Sequence, residues 1–551
     1  MAITISSEDE IEINHHFKVF AGPGAGKTHW LSLHVAHVLR ESRCLGKMGK
    51  IACLSYTNVG ADTLMGRMSG EGNRILSCTI HRFFYNHIVK PYLHFIALEE
   101  GFSIELLTGE DDRILFDDNT FNEIKESINK DLNKNDTYDV IKSLKWILQE
   151  DGVIRCCTKP QSFTRNQDCI LDENAFVCYK KLAWAKGYMH YDDVLYFSYK
   201  LIQKYPFIAQ TLAKQFPYVF VDEFQDTNPI QAKIIKQLGE NGSIVGVIGD
   251  YAQSIYGFLG ADPRQFVSFN LEGLRDYTIS DNRRSCNEII DLLNIIRTEF
   301  QQNPIRDEKT MRPLLLIGNL LDCYNKAKSI AKSEVYALSY RNIEANILKQ
   351  GINVQIQNKN LFDTIVDSNF QRKEFIKTWI KAIEHARYQK FEITFKMLEN
   401  IGITDIDAYI SVKDALHDYE NYNSGTLKDF FDYLRRNREI TEIESNSETY
   451  DFYTSHTYRE FSQFVGFLED TSVQRTVHKA KGDEFDSVFV VFTQAKALGF
   501  LLNPNLQGEE SHRVYYVAMS RARNRLFLTV PSLTPKMENK LKELPIDIQR
   551  F

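Results

Sequence analysis

No apolar run in the 551 residues approaches the ~18 that a bilayer-spanning helix needs; runs such as Val488 to Phe492 have only the length of a strand. No membrane anchor is expected. A disulfide framework is missing as well. The nine cysteines are odd in number, form no C-x-x-C pair and stop at Cys323, and the chain opens on the acidic SSEDEIEI rather than on a charged and then apolar leader. Both features predict a reduced, cytoplasmic protein. Nor is there an excess of positive charge. Lys and Arg number 66 against 73 Asp and Glu, a net charge of −7, so any polyanion must be held by a local groove rather than by a generally basic surface. Low-complexity tracts and fixed-period repeats are absent, and 43% hydrophobic with 25% charged residues is the composition of an ordinary folded chain of several domains.

What is present is an alternation. Short apolar runs (FKVFA, KIACLSY, YVFVD, SIVGVIGD) are each followed by a polar or glycine-rich turn and then a helical pattern, all before about residue 260. That is the grammar of a parallel sheet wrapped by helices. A second set follows in VYALSY (335–340), SVFVVF (487–492) and RLFLTV (525–530). The predicted fold class is therefore α/β with two cores, each interrupted by a polar, mainly helical insertion. Residues 1–84 and 186–272 form the first core around an insertion at 85–185; residues 273–349 and 471–551 form the second around a reduced insertion at 350–470.

In FKVFAGPGAGKTHWL a buried strand runs directly into Gly22-Pro23-Gly24-Ala25-Gly26-Lys27-Thr28 and a helix follows at once. Gly22, Gly24, Ala25 and Gly26 would let backbone N–H groups wrap phosphates. Lys27 would neutralise the terminal ones, and the Thr28 hydroxyl would ligate Mg²⁺ at the positive helix end. The first loop position is Ala21 rather than glycine. Tyr218 to Val221 predicts a buried strand ending in Asp222 and Glu223, the first placed to hold Mg²⁺ and the second to polarise an attacking water. Alone, that pair reads as a solvated strand end; with the loop it reads as nucleotide-hydrolysis machinery.

From Asp222 onward, DEFQDTNPIQ, GDYAQSIYGFLGA (249–261), DNRRS (281–285), TVHKAKGDEF (476–485) and EESHRVYYVAMSRAR (509–523) occur in fixed order. In this the chain resembles superfamily 1A DNA helicases of the UvrD/Rep type. The resemblance implies two RecA-like P-loop NTPase cores, ATP and Mg²⁺ as cofactors, and stepping 3′ to 5′ on single-stranded DNA or a tailed duplex. It implies that Gln225 and Gln253 sense the γ-phosphate, that Arg284 and Arg521 reach it as arginine fingers, and that Glu484 faces the sugar. It also implies that Thr57, Asn58 and His81 contact the DNA backbone, with Tyr256, Phe258 and His478 completing the interface. Aromatic faces stack on bases without reading sequence. In isolation Phe258 would read as core packing, and its place in SIYGFLGA reverses that. Tyr191-Asp192-Asp193 resembles the family's F-D-D signature, and a helix-capping role fits it equally.

Some family features are missing. No glutamine precedes Gln149, whereas the family reads adenine with one upstream of the P-loop; Arg283 stands where a base-packing tyrosine is usual, and Leu259 replaces an arginine. These departures predict loose nucleotide choice, with Arg283 stacking on the base, and weak coupling. The short second insertion predicts poor autonomous unwinding. Together with IVKPY (88–92), they resemble the helicase-like subunit of Gabija-type antiphage systems, which acts beside a separate nuclease subunit. An alternative function follows: a nucleotide-gated DNA sensor in such a complex. A P-loop kinase or GTPase leaves the five later motifs unexplained.

Overall fold

The computed structural model describes residues 2–67, 73–110, 114–128, 134–158, 173–351, 359–436, 438, 440–467 and 470–551. They divide into two compact units, Met1–Glu308 with Asn505–Ser520 and Lys309–Pro504 with Arg521–Phe551. Among the described residues no helix is long and apolar enough to cross a membrane.

In the first unit the strands are β1 (Ile3–Thr4), β2 (Phe17–Ala21), β3 (Ile51–Ser55), β4 (Ile75–Thr79), the hairpin β5 (Leu144–Leu148) and β6 (Ile154–Thr158), then β7 (Tyr218–Val221), β8 (Ile244–Gly249) and β9 (Arg275–Ile279). Seven of them form a parallel sheet in the order β1-β9-β2-β8-β7-β3-β4. Phe17, Val19, Cys53, Phe220 and Ile248 are fully buried, as in a parallel sheet covered on both faces, which is why these strands read as continuous apolar runs. Neighbouring strands lie ~4.8 Å apart, so the turns after β2, β8 and β7 emerge side by side at one edge. Ligands bind at that carboxyl edge in open α/β sheets.

The insertion at 85–185 is mainly helical and also carries the antiparallel β5–β6 hairpin, in which Trp146 pairs with Cys156. Among the described residues its apolar side chains form no separate core. Trp146, Trp184 and Phe102 belong to one buried cluster with Phe197, Val219 and Val247 of the sheet and its helices.

The domain boundary expected at residue 272 needs correction. β9 pairs in register with the P-loop strand, from Phe17 opposite Arg275 to Ala21 opposite Ile279, and the chain stays with the first unit through Glu308. Residues 505–520, expected in the second core, also pack with the first. Periodicity announces a strand without saying which sheet it joins. Within the same stretch β10 (Asp281–Asn282) pairs with β11 (Asn303–Pro304).

The second unit holds β12 (Leu314–Ile317), β13 (Tyr336–Ser339), β14 (Gln474–Thr476), β15 (Phe485–Val491), β16 (Ala522–Val530) and β17 (Asp547–Arg550). They form a six-stranded parallel sheet in the order β14-β13-β15-β16-β12-β17. Its insertion is helical between Phe370 and Ser462, around a core that includes Trp379, Ile380, Phe430 and Tyr458.

Candidate active site and nucleic-acid interface

β2 delivers the glycine loop and the helix Lys27–Glu41 follows. Gly24 and Gly26 have φ of 73° and 79°, the left-handed region that a side chain disfavours. Gly24 has no room for one either. A Cβ there would stand 2.5 Å from Asn282 Oδ1 and 2.9 Å from Arg284 Cβ. Lys27 is buried, its Nζ 3.3 and 3.4 Å from the Ala21 and Gly22 carbonyls.

Asp222 follows β7 and is buried; its Oδ2 accepts from Thr28 Oγ1 at 3.1 Å. Burial first, and then the neighbouring Glu223 carboxylate, push its carboxyl upward, with Lys27 opposing. A hydroxyl beside a buried carboxylate that resists carrying its charge alone is a donor set that fits a hard divalent cation. Glu223 sits at φ 54°, a strained backbone for a non-glycine residue that costs ~1–3 kcal/mol and turns its side chain out of the strand direction. Gln225 Nε2 donates to Glu223, Gln225 Oε1 accepts from the Asp250 N–H at 3.0 Å, and Gln253 Nε2 donates to Asp250 Oδ2 at 2.8 Å. Gln225, beyond β7, is thus bonded to Glu223, and Gln253, beyond the adjacent β8, to Asp250.

Asp250 also receives Arg297, a fully buried arginine whose Nη1 donates to Oδ2 at 2.8 Å. The Arg297 guanidinium lies 4.8–5.0 Å from the ring centroids of Phe20, Tyr251 and Phe300. Sequence reading missed Arg297, because IIRTEF has the pattern of an ordinary helix end.

Of the arginines singled out from sequence, two lie beside the loop within the first unit. The Arg283 N–H donates to the Gly24 carbonyl at 2.9 Å, and its guanidinium lies 3.9 Å from Asp281 and 4.0 Å from Glu8. Arg284 Nη1 donates to the Ser520 carbonyl at 3.0 Å. Nearby, the hydroxyl of fully buried Ser7 faces Gly26 and has no hydrogen-bond partner among the described residues. Arg521 and Glu484 belong to the second unit. There Arg521 is buried, its Nη1 3.4 Å from the Asp483 carbonyl, and Glu484 pairs with Arg523 at 3.3 Å.

Along the same edge of the first sheet lie the nucleic-acid candidates. Thr57 Oγ1 accepts from the Gly60 N–H at 3.1 Å, and Asn58 is exposed at the start of the next helix. Tyr256 stacks on Tyr56 with centroids 5.1 Å apart, and Phe258, 6.2 Å further on, is 48% exposed. An aromatic so exposed on a short loop is not core packing. Beside it a cavity of about 350 Å³ is lined by Lys145, Trp146, Asp192, Pro229, Phe258 and Arg264 among others. His478 lies in the second unit, edge-on to Tyr340.

His81, expected at the DNA backbone, packs against Tyr191. It is buried, its ring stacked 3.4 Å from that of Tyr191 and its Nε2 2.8 Å from the Tyr191 carbonyl. Tyr191, 46% exposed, presents the outer face of this pair. For Tyr191-Asp192-Asp193 the structural reading prevails. Fully buried Asp193 accepts from Lys180, from the indole N–H groups of Trp146 and Trp184, and from the His190 N–H. Burial alone would raise its carboxyl, but Lys180 and His190 overcome it and hold it well below the usual carboxylate range. Asp192 accepts from the Trp146 N–H. The pair ties the insertion to the sheet.

Comparison with known proteins agrees with this arrangement. Residues 7–272 match the UvrD/REP helicase N-terminal domain and residues 317–532 the UvrD-like helicase C-terminal domain. Similar proteins include the ATP-dependent DNA helicase PcrA of Bacillus subtilis, 23% identical over 93% of this chain and 80% of that one. The ATP-dependent DNA helicase Rep of Buchnera aphidicola is 22% identical over 96% and 95%. A probable DNA helicase II homolog of Mycoplasma capricolum is 22% identical over 94% and 82%.

Proposed function

Because the chain belongs to the UvrD/Rep family of ATP-dependent DNA helicases, we propose that it uses Mg²⁺-ATP to step 3′ to 5′ along single-stranded DNA. The observation that carries this reading is the set of turns after β2, β3, β7 and β8, which bring Lys27, the Tyr56–Tyr256 stack, Glu223 and Gln253 to one edge of one sheet. Glycine-loop N–H groups and Lys27 bind the phosphates once the lysine swings off the carbonyls it now meets. Thr28 and Asp222 would hold Mg²⁺, which neutralises charge on the β- and γ-phosphates. Glu223 orients the attacking water and accepts its proton. Gln225 and Gln253, bonded to Glu223 and Asp250, sense the γ-phosphate, and Arg284 and Arg521 stabilise the charge that develops on it. Tyr256 and Phe258 stack on bases, a contact indifferent to sequence. Thr57, Asn58 and His478 fix the backbone.

Strand displacement measured beside ATP hydrolysis tests this directly. A duplex with a 3′ single-stranded tail should be opened and one with a 5′ tail should not. Opening from the 5′ tail alone would overturn the polarity. DNA-stimulated hydrolysis without displacement would favour the second reading, a nucleotide-gated sensor beside a separate nuclease subunit in antiphage defence. The short helical insertion and Leu259 in the loop that carries Tyr256 and Phe258 support that reading.

A further inference from the structure

The helix Glu510–Met519 packs within the first unit, and each of its ends touches a different part of the machinery. At its N-terminus Glu510 Oε1 accepts the Gly257 N–H at 2.8 Å, in the middle of the loop that carries Tyr256 and Phe258. A Cβ on Gly257 would lie 2.8 to 3.1 Å from that carboxylate, so only glycine lets the acid approach so closely. One turn on, at the i+3 spacing that shares a helix face, buried Arg513 donates from Nε to the Ser254 carbonyl at 2.6 Å. Its Nη1 reaches back to the Leu506 carbonyl at 3.1 Å. The platform loop is therefore gripped on both sides of Tyr256. Ser254 in turn donates from Oγ at 3.0 Å to the main-chain carbonyl of Gln225, the residue whose side chain donates to Glu223. At the other end of the helix, the Ser520 carbonyl accepts from Arg284.

We propose that this helix is a strut coupling the base-stacking loop to the nucleotide site, with Glu510 and Arg513 as positioning residues that touch neither DNA nor nucleotide. The idea rests on the DNA-stimulated hydrolysis proposed above. Ten residues at 1.5 Å rise make a strut about 15 Å long, a single cooperative unit that transmits a displacement instead of absorbing it. A charged acceptor on a loop N–H is among the stronger single hydrogen bonds available for such a task. Displacement of the ring platform by an incoming strand would move Gly257, and with it Glu510, the helix and the carbonyl that holds Arg284.

The test uses the full chain, with oligothymidylate as the probe and ATP hydrolysis read with and without it. Glu510→Ala should leave DNA-free hydrolysis within about twofold of wild type and the melting temperature unchanged, while the fold-stimulation by DNA falls about tenfold. Glu510→Gln keeps a carbonyl oxygen for the Gly257 N–H and should retain most of the stimulation. Gly257→Ala, which pushes the carboxylate away without touching the helix, should reproduce the Glu510→Ala defect. Full stimulation in Glu510→Ala would overturn the proposal. So would a Glu510→Gln variant as defective as the alanine, or loss of DNA-free hydrolysis and melting temperature together, which marks a merely structural side chain. Absence of stimulation in the wild type would instead refute the underlying functional reading, and the two failures are thereby told apart.

Discussion

His34 lies on the helix that begins at Lys27, three per cent exposed, with neither ring nitrogen hydrogen-bonded among the described residues. Its ring stacks on Trp30 with centroids 5.2 Å apart and meets the rings of Phe17 at 4.9 Å and Phe220 at 5.3 Å. Burial, reinforced by His37 and His15, pushes its pKa down from 6.5 to about 3. The folded state therefore keeps the ring neutral where the unfolded chain would protonate it. A depressed histidine leaves stability intact above pH 6.5 and erodes it as the pH falls from there towards 3, because the unfolded state binds the extra proton. At pH 5.5 the difference is about 1.4 kcal/mol, rising at 1.36 kcal/mol per pH unit to a ceiling of about 5 kcal/mol below pH 3. His34→Leu removes the titration and two unpaired nitrogens while keeping an apolar filling. Urea unfolding of both proteins at pH 7.5 and 5.5, followed by hydrogen exchange of the amides in β2 and the Lys27–Glu41 helix, isolates this sheet from the second unit. His15, His16 and His87 are also held below their ordinary values, so wild type and variant should both lose stability on acidification. Wild type should lose about 1.4 kcal/mol more. Equal losses would refute the assignment of a neutral, unpartnered imidazole to this core.

Lys27→Ala should abolish ATP hydrolysis with the fold intact, and Glu223→Gln should retain nucleotide binding while losing turnover; hydrolysis and fluorescent-nucleotide binding on the same preparations check both. Phe258→Ala should weaken single-strand affinity by ~1–3 kcal/mol, and because its ring is half exposed the melting temperature should hardly move. A large fall in melting temperature would return Phe258 to the core. Asp193→Asn leaves Lys180 as a buried charge without its counter-ion and should cost ~3–5 kcal/mol in denaturant unfolding, with the insertion loosened first. GTP should replace ATP appreciably, since no glutamine precedes Gln149 and an Arg283 stacked on the ring face would be indifferent to the base edge. A ratio of kcat/KM above about a hundredfold in favour of ATP would show that another group reads adenine.

Much of the site was legible because its chemistry is local. A strand, a glycine loop and Lys-Thr are consecutive in the chain, so backbone conformation and function are fixed by the same dozen residues. Asp222 and Glu223 were legible for the same reason, as a strand and its end. The two parallel sheets followed from apolar runs such as YVFV and SIVGVIG, whose burial on both faces leaves a pattern no surface strand would have.

Other assignments needed the folded chain. Arg297 looks like any helix-end arginine until Asp250, 47 positions earlier, is seen beside it. His81 sits in a segment that resembles a DNA-contact motif, yet Tyr191, 110 positions away, covers its ring. The choice between a binding and a structural role for Asp193 turned on donors from Trp146, Lys180 and Trp184, none of which its own neighbourhood announces. The sequence by itself determined which chemistry the chain carries, because each motif is a short stretch whose backbone and side chains act together. Only the tertiary structure decided which sheet β9 joins, which aromatic faces water and which charge meets which. Those outcomes depend on contacts between residues far apart in the chain, and their pairing is set by burial rather than by spacing.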